Sequence, residues 1–302
     1  MYPPRNMKRR GKGVEASLTA QWVAAARTVG GLLPPELVLA RDPFGVTFAE
    51  GATRKLAELL LSQPLLSRAL LPRAGLLTAF LLWMQLRTRA LDDILLEFVR
   101  AGGRQVVLLG AGYDCRALRF AAELVGATVF EVDHPATQAV KTERLPVEGF
   151  HNRVVYVPFD FERDPLASLP ARLHAEGLDA RAPVLTIWEG VTMYLAEPAI
   201  DATLKAVCGL SNDSRLALTY IDRRAFARKS REVLLSAQLV ARVGEPWRFG
   251  WHPAELPGWV AARGFTVISD ESDGDLAARL LPARVGRYFA RQNRHLALLG
   301  TR

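Results

Sequence analysis

Apolar residues fall into a helical rhythm from Ser17 onward, with Leu18, Trp22, Val23 and Ala26 at three-to-four spacing. Leu32-Leu-Pro-Pro35 interrupts it, and Asp42-Pro43-Phe44 reads as a turn. Helical pattern resumes over 53–100, broken near Pro64 and Pro72. The texture changes after Gly102-Gly103. Gln105-Val-Val-Leu-Leu109 is a continuous apolar run ending in glycine, the pattern of a parallel strand covered on both faces. A helix from about 114 to 125 follows, then a second strand, Thr128 to Asp133. His134 to Val147 reads as a helix with Pro135 near its start, where proline is tolerated. Strands are expected at Val154–Val157, Val184–Trp188 and Leu216–Tyr220, with a helix at Ala196–Leu210. Thr266–Ile268 and Leu296–Leu299 are late candidate strands. No internal repeat is visible.

Strands alternating with helices predict right-handed crossovers and a doubly wound α/β sheet. Such sheets bind ligands beyond the carboxyl ends of their strands. The expected layout is a basic tail at 1–14, a helical cap or lid at 15–100, and a Rossmann-like domain at 101–302. The longest apolar run, Ala74 to Leu86, is shorter than the roughly 18 residues a membrane helix needs, so it reads as a buried helix. The basic N-terminus has no apolar stretch after it and does not read as a secretory signal. A soluble, cytoplasmic protein is expected. Two cysteines exclude a disulfide scaffold and a multi-cysteine zinc site.

The net charge of +8 raises the question of nucleic acid. Arg5, Lys8, Arg9, Arg10 and Lys12 supply +5 of it with no acid among the first twelve residues, which leaves +3 for the rest. A second basic cluster, Arg223, Arg224, Arg228, Lys229 and Arg231, reads as a solvated helix face or a guide for an acidic acceptor.

Candidate chemistry sits at the strand ends. Gly110-Ala-Gly112-Tyr-Asp114 lets backbone approach a ligand closely. A dinucleotide fingerprint would place glycine at 115, where this chain has Cys115. Asp114 would repel a pyrophosphate and attract an ammonium group. A plain strand-to-helix turn is the competing reading. Asp133 follows Gly112 by 21 residues and can accept from both hydroxyls of a ribose. It could equally cap the next helix. Asp160-Phe161, after the third strand, can bond an adenine amine and wall its ring; a solvated Asp beside a core Phe is the plainer alternative. Glu189, after the fourth strand, must face a cleft or a partner, because a bare buried carboxylate is costly. Tyr194 could offer a hydroxyl to an acceptor or be a core tyrosine. Arg87 could clamp a ligand carboxylate or pair with Asp92 or Asp93. In this order the groups match what S-adenosylmethionine requires.

The run Gln105–Arg119, together with Glu15–Arg27, Asp42-Pro43-Phe44, Arg87-Thr88, Leu91-Asp92, Phe130–Pro135, Asp160 and Trp188–Leu195, resembles the leucine carboxyl methyltransferase-like family. It is most similar to that family's bacterial branch. The resemblance implies a class I methyltransferase fold with a mostly parallel seven-stranded sheet. It implies that Arg87 holds the carboxylate of S-adenosylmethionine, that Gly110 and Gly112 form its loop, that Asp133 holds the ribose and that Asp160 contacts the adenine. Glu189 matches the family's motif acid near the sulfonium, and Tyr194 matches a tyrosine near the acceptor. Two departures stand out. Cys115 replaces a usual threonine, and Thr19-Ala20-Gln21 lacks the lysine of the members that act on proteins.

The expected activity is O-methylation of a carboxylate on a small molecule or peptide, without metal or nucleic acid. A carboxylate is already ionised at neutral pH and needs no base. A phenol or alcohol acceptor would need one, with His252 a candidate, whereas His134 reads as structural. The other reading is a protein of this fold that binds the cofactor without turnover.

Overall fold

A computed structural model describes residues 17–145, 152–161, 163–227, 247–286, 289 and 294–301. The basic tail, the carboxyl end of the helix expected to reach Val147, and Arg228, Lys229 and Arg231 lie outside the described residues.

Seven strands form one sheet: β1 Gln105–Leu109, β2 Thr128–Asp133, β3 Arg153–Pro158, β4 Val184–Trp188, β5 Ser214–Ile221, β6 Phe265–Ser272 and β7 Arg294–Thr301. Their spatial order is β3-β2-β1-β4-β5-β7-β6. The first five pair in parallel, and β7 lies antiparallel between β5 and β6. β1 and β4 are buried along their whole length. Helices cover both faces there, so their sequences read as unbroken apolar runs. Along β1, Val106 and Leu108 pack into one core while Val107 and Leu109 pack into the other, as strand pleating requires.

Four helices precede the sheet: α1 Leu18–Gly30, α2 Gly51–Ser62, α3 Pro64–Leu70 and α4 Leu76–Arg100. The Ser17 hydroxyl accepts from the Ala20 N–H at 3.1 Å and so caps α1. α3 begins at Pro64, where a missing N–H costs nothing. α4 buries Leu81, Leu82, Trp83, Leu86 and Leu91 in the same core as Val106 and Leu108. The apolar run at Ala74–Leu86 is thus a buried helix, and among the described residues no single helix is long and apolar enough to cross a membrane.

One expected element is shorter than its sequence suggests. The helix after β1 is only α5, Arg116–Arg119, and turns follow it to Gly126. Gly126, at φ 75°, ends that stretch two residues before β2 begins. The next helix, α6, runs Pro135–Arg144 with His134 as its cap: His134 Nδ1 accepts from the Ala136 N–H at 3.1 Å. His134 is therefore structural, and Asp133 is not the cap.

α6 is tied to the sheet by a fully buried ion pair, Lys141 Nζ to Glu131 Oε2 at 2.5 Å. A buried pair is not by itself strong evidence of stability, but removing one partner strands the other charge. Lys141→Met is expected to cost about 3–5 kcal/mol, and Lys141→Met with Glu131→Gln to cost much less. Urea unfolding of the two variants against the wild type measures both.

Candidate functional site

The strand order reverses direction between β1 and β4, and the crevice beyond their carboxyl ends opens into a cavity of about 860 Å³. That lies near the upper end of the range for ligand pockets, about 300–1,000 Å³. Gly110, Gly112, Asp114, Asp133, Phe161, Glu189, Tyr194 and Arg87 all line it.

The loop after β1 is the floor. Gly110 adopts φ 64°, and a Cβ there would stand 2.7 Å from Val191 Cγ2. Gly112 adopts φ 50°, and its N–H donates to Asp133 Oδ2 at 2.6 Å. The other oxygen, Asp133 Oδ1, accepts from the His134 N–H at 2.7 Å. Burial raises the Asp133 carboxyl, and these two N–H groups offset only part of that. Each oxygen of an ionised carboxylate can take a further donor. Asp133 therefore faces the cavity with acceptor capacity in hand.

The other carboxylates are committed to arginines. Arg116 lies at the centre. Its Nε donates to Asp92 Oδ1 at 2.8 Å and its Nη1 to Glu189 Oε2 at 2.6 Å. The same Nη1 also meets Asp114 Oδ2, while the Arg116 N–H donates to Asp114 Oδ1 at 2.7 Å. Glu189 is shared, because Arg87 Nε donates to its Oε1 at 2.7 Å. Burial alone would push the Glu189 carboxyl up; Arg116 and then Arg87 overcome it and hold Glu189 well below the ordinary carboxylate range. Asp114 follows the same logic, with burial overcome by Arg116 and Arg27.

Arg27 comes from α1. Its Nε donates to Asp42 Oδ2 at 3.0 Å and its Nη2 to the Tyr113 carbonyl at 2.6 Å. Asp42 Oδ1 in turn accepts from the N–H groups of Phe44 and Gly45, which makes the expected turn. A helix from the N-terminal part thus braces the glycine loop.

Several expected residues sit differently from their simplest reading. Arg87 pairs with Glu189, not with Asp92 or Asp93; Asp92 is held by Arg116 and Arg119, and Asp93 by Arg89. Asp114 faces the cavity but is already matched by Arg116. Phe161 lines the cavity while Asp160 does not; its carboxylate lies 3.5 Å from His134 Nε2. His252 caps a short 3-10 helix, its Nδ1 accepting from the Ala254 N–H at 3.2 Å. Sequence reasoning passed over Arg27 and Arg116. The usable signal for Arg27 was an arginine in phase with Ala24 and Ala20 on the buried side of an amphipathic helix.

The strand order and the crevice define the class: this is the class I S-adenosylmethionine-dependent methyltransferase fold. A DUF574 family protein from Streptomyces avermitilis superposes with a TM-score of 0.61 at 14% identity, covering 92% of this chain and 97% of that one. A structure described as a "putative methyltransferase" from Thermobifida fusca gives 0.59 at 16%, covering 95% and 96%. The model of the leucine carboxyl methyltransferase family matches residues 20–208, and the chain belongs to that family. A Mycolicibacterium paratuberculosis protein named "Putative S-adenosyl-L-methionine-dependent methyltransferase" is 32% identical over 89% of this chain and 90% of its own. A Streptomyces coelicolor protein of the same description is 35% identical, and this chain spans 60% of its length and 59% of its own.

The charge network predicts a pH response. Asp114 and Glu189 have ordinary values of 3.8 and 4.5 and lie lower in the folded protein. Each contributes stability that is full above its ordinary value and lost as pH falls toward its lowered one. Asp133, raised by burial, has the opposite sign: its contribution is present below 3.8 and lost as pH rises through its raised value. Glu189→Gln is expected to lose about 3–5 kcal/mol near neutral pH, because Arg87 and Arg116 lose their shared counter-charge. It should also show a smaller drop in urea midpoint than the wild type when the pH is lowered to about 3.

Proposed function

We propose that this chain binds S-adenosylmethionine in the crevice and transfers its methyl group to a carboxylate oxygen of an acceptor. The observation that carries the reading is Asp133, a cavity-facing carboxylate whose two protein partners are backbone N–H groups, set beside a glycine loop and the aromatic wall of Phe161. Those groups fit a nucleoside, and the belt of arginines and acids beside them fits an amino-acid zwitterion. Asp133 would take the ribose hydroxyls and Phe161 the adenine face. Gly110 and Gly112 would let the ligand lie against backbone. Arg87, held by Glu189 through one nitrogen, would present the rest of its guanidinium to the ligand's carboxylate. S-adenosylmethionine supplies an electrophilic methyl group on a positively charged sulfur, so transfer to a carboxylate neutralises both charges.

Two features favour an acceptor that arrives already ionised. Among the described residues lining the cavity none is a histidine. Glu189 and Asp114 are held low by arginines and are weak bases in consequence. The chain's own contribution is then alignment and exclusion of water. α1, α2 and α4 wall the cavity opposite the strand ends and would act as its lid. Tyr194 lines the cavity, and in this reading its hydroxyl positions the acceptor. Thr19-Ala20-Gln21 lacks the lysine that the family resemblance associates with members acting on proteins, which weighs against a protein acceptor.

Calorimetric titration with S-adenosylhomocysteine tests the nucleoside assignment. Wild-type protein should bind, and Asp133→Ala should weaken binding by about ten- to a hundredfold, the worth of hydrogen bonds to a charged group. Equal binding by wild type and Asp133→Ala would sink the assignment.

A further inference from the structure

The cavity has two unlike halves. The strand-end half holds Arg87, Asp114, Asp133 and Glu189. The other half lies between α1, α2, α4 and the ends of β5 and β7. Its walls include Trp22, Leu60, Phe80, Trp83, Met84 and Met193. Leu56 and Leu76, about half exposed at 51% and 50%, carry the apolar surface out to the rim. With Arg27 turned onto Asp42 and Tyr113, Arg294 is the only charged residue among the described residues lining this half.

Arg294 occupies a defined place. It starts β7, opposite Ile221 at the carboxyl end of β5. Its guanidinium lies 5.4 Å from the Trp83 ring centroid, and its Nη1 lies 3.8 Å from Asp273 Oδ2. A cation set in an apolar wall interacts more strongly with an anion than it would in water, because the surroundings screen it less. The same wall is mostly apolar, with hydroxyls at Ser17, Thr19 and Thr53, so it favours an apolar ligand body over a strongly polar one. The complementary ligand carries one anionic group on an apolar body. The sulfur-containing side chains of Met84 and Met193 suit such a body, because they adapt to irregular aliphatic shapes.

We propose that this half of the cavity binds an amphipathic carboxylic acid as the methyl acceptor, with its apolar body between α1, α2 and α4 and its anionic group drawn to Arg294. Arg294 is then a specificity-determining residue. The proposal rests on the methyl-transfer reading for the word acceptor, but the binding it describes can be measured separately. A peptide acceptor is disfavoured by the same walls, which set few hydroxyls against the many backbone amides it would bury.

Dodecanoate, dodecanol, butyrate and a short peptide ending in leucine are titrated calorimetrically into the full chain, alone and saturated with S-adenosylhomocysteine. Dodecanoate should bind at least about tenfold more tightly than each of the other three, since it alone combines the charge with the apolar body. Arg294→Leu should remove the advantage of dodecanoate over dodecanol and leave S-adenosylhomocysteine binding unchanged, while Arg294→Lys should keep part of that advantage. Dodecanol matching dodecanoate, butyrate or the peptide matching it, no binding of dodecanoate to either form, or an Arg294→Leu protein with wild-type preference would each overturn the proposal. The two readings fail separately. Loss of S-adenosylhomocysteine binding counts against the cofactor assignment alone, whereas S-adenosylhomocysteine binding without an acid preference counts against the acceptor class alone.

Discussion

The Arg116 guanidinium is buried where three parts of the chain meet. It bonds Asp92 on α4, Asp114 in the loop after β1 and Glu189 at the end of β4. These bonds use Arg116 Nε and Nη1, while its buried Nη2 has no hydrogen-bond partner among the described residues, and removing any one of the acids would strand more of the buried charge. Arg116 therefore ties the helical N-terminal part to the sheet at the point where the ligand crevice opens. Arg27 adds a second tie, reaching from α1 to the Tyr113 carbonyl. The glycine loop is thus positioned from both sides.

This commitment sorts the carboxylates of the site by what they can still do. Asp114 and Glu189 are held ionised by arginines, which makes them fixed counter-charges. Asp133 is buried like them, yet its partners are the N–H groups of Gly112 and His134. It keeps acceptor capacity toward the cavity, which is what recognition of a diol requires. Glu189 accepts from both Arg87 and Arg116 beside the cavity.

The fold was legible wherever local pattern and burial agree. β1, β2 and β4 lie where their apolar runs place them, because helices cover both faces and nearly every residue must be apolar. The breaks at Pro64 and near Pro72 were legible for the plain reason that proline lacks an N–H. The helix after β1 was over-read: Ala121-Ala-Glu-Leu124 has good helical propensity, but the chain turns there, with the Ala117 carbonyl taken by Asn152 Nδ2 and the Ala121 N–H bonded three residues back to Leu118. In the site, individual groups such as Asp133, Arg87 and Glu189 were legible, and their connections were not. Arg87 meets Glu189 across 102 residues and Arg116 meets it across 73. No local spacing encodes such closures. Asp160 shows the reverse case: beyond the end of β3, its neighbour Phe161 faces the cavity while its own carboxylate turns toward His134, a direction that no strand periodicity sets there.

A consequence follows for selectivity. In the strand-end half nearly every charge has a partner of opposite sign within hydrogen-bonding reach, so that half can discriminate among nucleoside ligands but has little left to choose an acceptor. On the acceptor reading proposed above, choice of acceptor comes from the largely aromatic and aliphatic walls supplied by α1, α2 and α4 and from Arg294 at the start of β7. The net positive charge that first suggests a polyanion is misleading in this respect. Much of it lies in the first twelve residues, and inside the cavity the arginines of the strand-end half are matched by acids. In the reading proposed above, what selects an acceptor is Arg294, set in a mostly apolar wall beside Asp273, where screening weaker than in water makes one ion pair count for more than a field of solvated lysines and arginines.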